Sequence, residues 1–382
     1  MSPRLVHVVT VPATLSLMRG QLGFCSRAGF EVHVIASSGG GNVPLDPGEG
    51  ATLHRVPMTR ELSPIADARS LAQLTTLLGR LRPDIVQAGT PKGALLGTAA
   101  AWLTRSRVRI YHVRGLAHMS NSRARALAAE AAERSSCACS THVLCVSESV
   151  RACLVERGFC AGEKTVVLGR GSSNGVDTEG RFNPALAGEQ REKVRTSLGI
   201  AERARVIGFV GRLVRDKGIE DLFHAWTRLR EEFPDLVLLL VGPFEDGDPL
   251  PQAVRHGLAG DSRVKITKTD WGQAGPVYSA MDIVGFPSHR EGFPNVPLEA
   301  AAMGLPVVAA RVVGTVDAVL HEKTGLLVEA RNAGALAESL ARLLREPDLA
   351  LRLGAQARQR AVADFRQQDL WAAQVDWYRS LL

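Results

Sequence analysis

The stretch SHREGFPNVPLEAAAMGLPVV, residues 288–308, carries two glutamates eight positions apart, Glu291 and Glu299. DIVGFPS (282–288), which runs into it, is short, apolar and aromatic, and predicts a strand. EGFPN (291–295) has the composition of a turn. A helix is expected to start near Val296–Pro297, because proline suits the first helical position. It should carry Glu299 in its first turn, where the helix dipole favours a carboxylate. LPVVAAR (305–311) reads as the next strand. Strand, loop, helix, strand is the repeating unit of a parallel α/β sheet. Glu291 precedes the helix, so the dipole does not account for it. Carboxylates accept hydrogen bonds from hydroxyl groups, and two of them on one strand-end loop suggest hydroxyl recognition. The backbone N–H groups of Gly292 and Phe293 could serve anionic or carbonyl oxygens.

The same alternation extends in both directions. LVHVVTV (5–11), EVHVIAS (31–37), ATLHRVPM (51–58), DIVQAG (84–89), RVRIYHVRG (107–115) and HVLCVSES (142–149) read as strands. Helices are expected over about 15–29 and 68–82. A second series follows: RVIGFVGRL (205–213), LVLLLVGP (236–243), RVKIT (263–267), DIVGFPS, LPVVAAR and GLLVEA (325–330), with a helix over 219–233. Strands that are apolar nearly throughout imply helices on both sheet faces. The fold class is therefore α/β, with two doubly wound Rossmann-like domains. The first is expected over 1–184 and the second over 185–364, divided at the linker-like GSSNGVDTEGRFNP (171–184). A last aromatic helix is expected over 365–382.

A chain of 382 residues, 45 % apolar and 22 % charged, has the size of two globular domains. No run of 18 apolar residues occurs, so no transmembrane helix is expected. The amino terminus lacks a signal-peptide layout, and a cytoplasmic protein is expected. The six cysteines form no CxxC pair and read as reduced thiols rather than a zinc site. The net charge of +7 is uneven. Through residue 185 there are 21 basic and 13 acidic residues, and from Ile85 to Ala129 there is no acidic residue at all. Such a basic stretch suits a phosphate-bearing ligand, an anionic membrane surface or nucleic acid, or is a solvated face. Arg105, Arg107, Arg123 and Arg125 are the candidates for holding a membrane or a phosphate-bearing acceptor.

In open α/β sheets ligands bind beyond the carboxyl ends of the strands. GFVGRLVRDKG (208–218) lies there, with Gly211, Arg212 and Lys217 just ahead of a helix. Glycine, two cations and a helix N-terminus are what a diphosphate needs. The loop completes neither a GxGxxG fingerprint nor a P-loop.

The pieces GRLVRDKG, LVGP, DIVGFPSHREGFPNVPLEAAAMGLPVVA and TGLLV, in that order, resemble the donor domain of retaining glycosyltransferases of family 4, which have the GT-B fold. HVVTVP, RGQL, PMTRELSP, RPDIVQAGTPKGALLG, RIYHVRGL, VLCVSES and GSSNGVD resemble the first half of its capsular-polysaccharide-type subgroup. The resemblance implies two domains facing across a cleft and a last helix that crosses back onto the first. It implies that Glu299 binds ribose hydroxyls and that Glu291 lies at the reacting face of the donor sugar. Gly292, Phe293 and Asn295 would line sugar and phosphates, and Arg212 and Lys217, with Gly211, would hold the leaving diphosphate. No metal and no cofactor is implied. Arg19, Thr90, Lys92 and Arg114 are the acceptor-side candidates. Relatives often have a histidine where Arg114 stands in HVRG; His112 and His118 do not occupy that place. In TKTDWG (267–272) a glycine usual in relatives is missing, and the usual GG-x-PE turn reads VGTVDAV (313–319).

The expected activity is transfer of a hexose or N-acetylhexosamine from a nucleotide diphosphate sugar, a UDP-sugar by preference, to a hydroxyl acceptor with retention. The expected acceptor is a polyprenyl-diphosphate-linked glycan at the inner face of a membrane, with peripheral association and no nucleic acid partner. A natural-product acceptor, a UDP-sugar epimerase and a non-catalytic partner subunit are the alternatives.

Overall fold

A computed structural model of the chain describes residues 2–10, 14–15, 18–37, 50–59, 63–116, 123–268 and 274–382. Among them, the first sheet is built from β1 (Arg4–Val8), β2 (Glu31–Ala36), β3 (Thr52–Arg55), β4 (Ile85–Gly89), β5 (Val108–Val113), β6 (His142–Cys145) and β7 (Thr165–Val166). Its order is β3-β2-β1-β4-β5-β6-β7, parallel throughout. The second sheet comprises β8 (Arg205–Val210), β9 (Leu236–Val241), β10 (Val264–Thr267), β11 (Ile283–Phe286), β12 (Val307–Ala310) and β13 (Gly325–Val328). Its order is β10-β9-β8-β11-β12-β13, again parallel. Each sheet is wound outward from its first strand in both directions. The switch points lie between β1 and β4 and between β8 and β11.

The apolar strands follow from burial on both faces. Leu5, Val34 and Ile85 join Leu22, Phe30 and Tyr378 on one face of the first sheet, while Val6, Ile35 and Val86 meet Leu74, Leu78 and Ala100 on the other. Neighbouring residues on a strand point to opposite faces, so both must be apolar. The second sheet is packed by Leu222, Trp226, Leu340 and Leu353. Each such side chain contributes roughly 1.5–3 kcal/mol by leaving water.

Several boundaries differ from the sequence reading. The strand expected over 5–11 ends at Val8, and the helix expected over 15–29 is Gln21–Arg27. The two-residue β7 is too short to show a pattern. The helix after the Gly-Phe-Pro turn begins at Asn295, not at Val296–Pro297, so Glu299 falls in its second turn and the first turn holds no acid. Pro297 still fits, because the first four N–H groups of a helix need no carbonyl partner. The chain divides at Asn174 rather than 184, and the first unit is completed by Gln368–Leu382. Residues 175–184 belong to the second unit through their own bonds. Val176 N–H donates to the Phe365 carbonyl, and the Phe182 ring packs on Tyr278 at 5.7 Å. The last helix runs Gln367–Ser380. Its Trp371 packs on Phe24 and donates from Nε1 to Asn174 Oδ1 at 2.7 Å.

Arg105 and Arg107 precede β5, at the amino ends of the strands, whereas Arg123 opens the helix Arg123–Cys139 that follows the carboxyl end of β5. The arginines grouped in sequence therefore belong to opposite ends of the sheet. Among the described residues, no helix is long and apolar enough to cross a membrane.

Candidate active site

In the second unit the loops after β8 and β11 flank the switch point. Gly218, with φ of 70°, ends the first loop. A Cβ there would strike the Pro287 carbonyl, so only glycine lets the two loops close. Three polar pairs then fasten the second loop to the first loop and to the helix Ile219–Glu232 that follows it. Lys217 Nζ lies 2.5 Å from Glu291 Oε1, His289 Nε2 lies 2.6 Å from Asp221 Oδ2, and Arg290 Nη2 donates to Asp216 Oδ2 at 3.0 Å. Lys217 and Glu291 are 19 % and 13 % exposed, dry enough for their pairing to fix orientation. Arg212 instead makes a half-exposed pair with Glu245, 2.8 Å from Nη1 to Oε2. Gly211 takes up φ of 149° and donates its N–H to the Val241 carbonyl.

Gly292 and Phe293 are buried, and the Phe293 ring packs on Phe365 at 5.5 Å. A Cβ on Gly314, whose φ is 79°, would strike the Gly292 carbonyl, so the VGTVDAV turn abuts this loop. Asn295 opens the helix Asn295–Ala302, and its Oδ1 is buried without a partner. Glu299 accepts from the Tyr278 hydroxyl at Oε2, 2.6 Å away. Burial pushes the Glu299 carboxyl up, while the Tyr278 bond and the Arg181 charge pull it back.

In the first unit, Thr90 lies at the end of β4, with φ of 66°, and its Oγ1 is 2.7 Å from Thr10 Oγ1. Lys92 is 7 % exposed and neutralised by Asp67 at 2.8 Å. The Arg19 side chain is exposed, and its carbonyl accepts from Asn174. Arg114 follows β5, and its Nε and Nη1 are buried with no hydrogen-bond partner. Beneath it runs a buried polar chain: Gln21 to Gln374, Gln374 to Tyr378, Tyr378 to Gln87 and Gln87 to His112. Burial, then the charge of Arg114, pushes His7 down to about 3 and lowers His112 as well.

Tyr278, Asp216, Asp221, Glu245 and His289 were not singled out in the sequence, since only tertiary proximity gives them a role. The reading that no metal is implied, argued from the lack of any Asp-x-Asp pattern, is corrected here: Asp246-Gly247-Asp248 is such a triplet. Asp248 Oδ2 accepts the Asp216 N–H at 2.7 Å, and its carbonyl accepts from Arg215 N. His118, the side chains of Arg123 and Arg125, and most of TKTDWG lie outside the described residues.

The family described as Glycosyl transferases group 1 matches residues 190–360, and the Glycosyl transferase 4-like domain matches residues 10–171. The capsular polysaccharide biosynthesis glycosyltransferase CapM of Staphylococcus aureus is 31 % identical over 384 residues, which cover 99 % of this chain and 97 % of that one. Among solved structures, Anabaena HepE in complex with UDP-glucose aligns with a TM-score of 0.80 at 20 % identity, over 99 % of this chain and 100 % of its own. Sucrose-phosphate synthase of Thermosynechococcus elongatus aligns at 0.83 and 22 % identity, over 100 % and 99 %.

Proposed function

Because this chain belongs to the group 1 glycosyltransferases, as a GT-B enzyme similar to the capsular-polysaccharide type, we propose that it moves a hexose or N-acetylhexosamine from a nucleotide diphosphate sugar to a hydroxyl acceptor with retention. The observation that carries this reading is the joined pair of loops at the β8/β11 switch point. They put the Lys217–Glu291 pair, a buried backbone turn and Glu299 at adjoining strand ends. A UDP-sugar is the preferred donor, by similarity to a fold relative crystallised with UDP-glucose.

Glu299, steadied by Tyr278, accepts from the ribose hydroxyls. Lys217 holds Glu291 so that its free oxygen meets the sugar. As the bond from the anomeric carbon to the diphosphate oxygen breaks, the electron pair leaves with the diphosphate. Arg212 and Lys217 stabilise that growing charge in place of a metal. The acceptor hydroxyl enters from the face the diphosphate leaves and gives its proton to a diphosphate oxygen, so configuration is retained. A polyprenyl-diphosphate-linked glycan is the acceptor we favour, given the similarity to a capsule enzyme and the basic first half.

The test is incubation with a panel of labelled nucleotide sugars, with and without a lipid-linked acceptor, followed by determination of the product anomer. A glycosylated lipid of donor-like configuration supports the reading. Release of UDP with an epimerised sugar and no need for acceptor would replace it with the epimerase. An inverted product would remove retention.

A further inference from the structure

Among the described residues, Arg114 is a cation that the first unit leaves uncompensated. Its Nε and Nη1 are buried and find no acceptor there. Among the described residues no carboxylate pairs with it, and the groups its charge acts on, His7, His112 and Tyr378, are neutral. Burial pushes the guanidinium down to about 10, which still leaves it charged at neutral pH. A desolvated charge without a partner is destabilising. Every other buried cation named above has its counter-charge, as Lys92 has Asp67. Arg114 also stands immediately beyond the carboxyl end of β5, two strands from the β1/β4 switch point, where open α/β sheets take ligands. The neighbouring strand ends in Gly89, which puts no side chain against the guanidinium. A Cβ there would lie 3.7 Å from Arg114 Cζ and Nη1.

We propose that Arg114 is the centre of an oxyanion site in the first unit that takes a phosphoryl group of a substrate, whose charge and paired oxygens supply what the protein withholds. The fork of guanidinium donors matches two phosphoryl oxygens, which a lysine could not do. The polar chain from Gln21 to His112 supports the site without neutralising it. This rests on the glycosyltransferase reading only for the source of the phosphoryl group, which is the acceptor's own diphosphate or the donor's.

The experiment uses the full chain and Arg114→Met, with Arg114→Gln as a second variant should the first not fold. Calorimetry measures pyrophosphate binding to UDP-saturated protein and, separately, UDP binding to free protein. Ligand-free melting temperatures are recorded alongside. Removing an uncompensated cation should leave the melting temperature unchanged or raised, whereas a merely structural arginine would lower it. Pyrophosphate binding should weaken about tenfold or more, the scale of a charged hydrogen-bond pair. Loss in the pyrophosphate arm assigns the site to the acceptor, and loss in the UDP arm to the donor. Equal affinities in both arms, or a marked fall in melting temperature with unchanged binding, would overturn the proposal. Wild type that binds pyrophosphate but not UDP would sink the nucleotide-sugar reading while leaving this site standing.

Discussion

Lys217 and Glu291, 74 residues apart in the chain, hold each other at 2.5 Å across the loops after β8 and β11. On the proposed mechanism Lys217 is both a diphosphate cation and the group that orients Glu291. Lys217→Ala should therefore cost roughly 2–4 kcal/mol of transition-state stabilisation, on the scale of losing an oxyanion donor. A double-mutant cycle with Glu291→Gln should show a coupling of about 0.5–3 kcal/mol. Arg212 sits in a half-exposed pair with Glu245, worth less than about 1 kcal/mol to stability. Arg212→Ala should leave folding unchanged and weaken UDP binding and turnover. Wild-type kcat and UDP affinity in both single variants would remove the diphosphate assignment.

The two glutamates should separate by ligand. Glu299→Gln should weaken free UDP, and Glu291→Gln should leave UDP nearly untouched while lowering kcat. Tyr278→Phe deletes the bond that holds the Glu299 charge, at roughly 1.5–3 kcal/mol for a hydrogen bond to a charged group. The sign follows from burial, which already raises the Glu299 carboxyl. Without Tyr278 it rises further, so UDP binding by the variant should fail first on the acid side and recover as pH increases. Calorimetry across about pH 5–8 decides it. Parallel pH profiles for variant and wild type would mean that Tyr278 only packs.

The glutamates could be read in the sequence because their spacing and their strand-end loop are local. Tyr278 could not, since a single tyrosine in GPVYSAMD gives no sign that it will meet Glu299. The inward commitment of Lys92 was hidden for the same reason, as Asp67 is brought to it by folding. The sheets were legible because strands buried on both faces are apolar at every position. The domain boundary fell ten residues late because linker-like composition described 175–184 well, while their bonds to Phe365 and Tyr278 decide where they belong.

If the proposed mechanism holds, activity should survive EDTA, because the Arg212 and Lys217 charges would do the work a divalent ion does elsewhere. Complete loss restored by Mg²⁺ or Mn²⁺ would contradict this. Attention would then turn to Asp246 and Asp248, with Asp246→Asn as the variant to test.

His7 should make the fold acid-sensitive. It is buried and pushed down to about 3, so the unfolded chain binds its proton near 6.5 and the folded chain does not. The stability it lends is present above about pH 6.5 and is lost as pH falls towards 3. His7→Asn should flatten the decline in melting temperature between about pH 7 and 4. An unchanged slope would show that other groups carry the acid sensitivity.

Membrane attachment, if it serves a lipid-linked acceptor, has to present the carboxyl ends of the first sheet to the lipid. Arg123 and Arg125 open the helix that follows the carboxyl end of β5, whereas Arg105 and Arg107 precede β5 at the opposite end. Arg105 and Arg107 have exposed Trp102 and Leu103 close by in the chain, so composition alone would choose them. Sheet polarity chooses the other pair. A cation at an anionic surface is worth about 1 kcal/mol and is screened by salt. Arg123→Ser with Arg125→Ser should therefore weaken low-salt co-sedimentation with anionic vesicles by roughly one to two orders of magnitude in affinity. Arg105→Ser with Arg107→Ser should leave it nearly unchanged, and neither change should alter transfer to a small water-soluble acceptor. If the second pair matters and the first does not, the protein meets the membrane by its amino-end face and the lipid acceptor loses its support. If wild type shows no salt-sensitive binding, the basic stretch is a solvated face and a natural-product acceptor becomes the better reading.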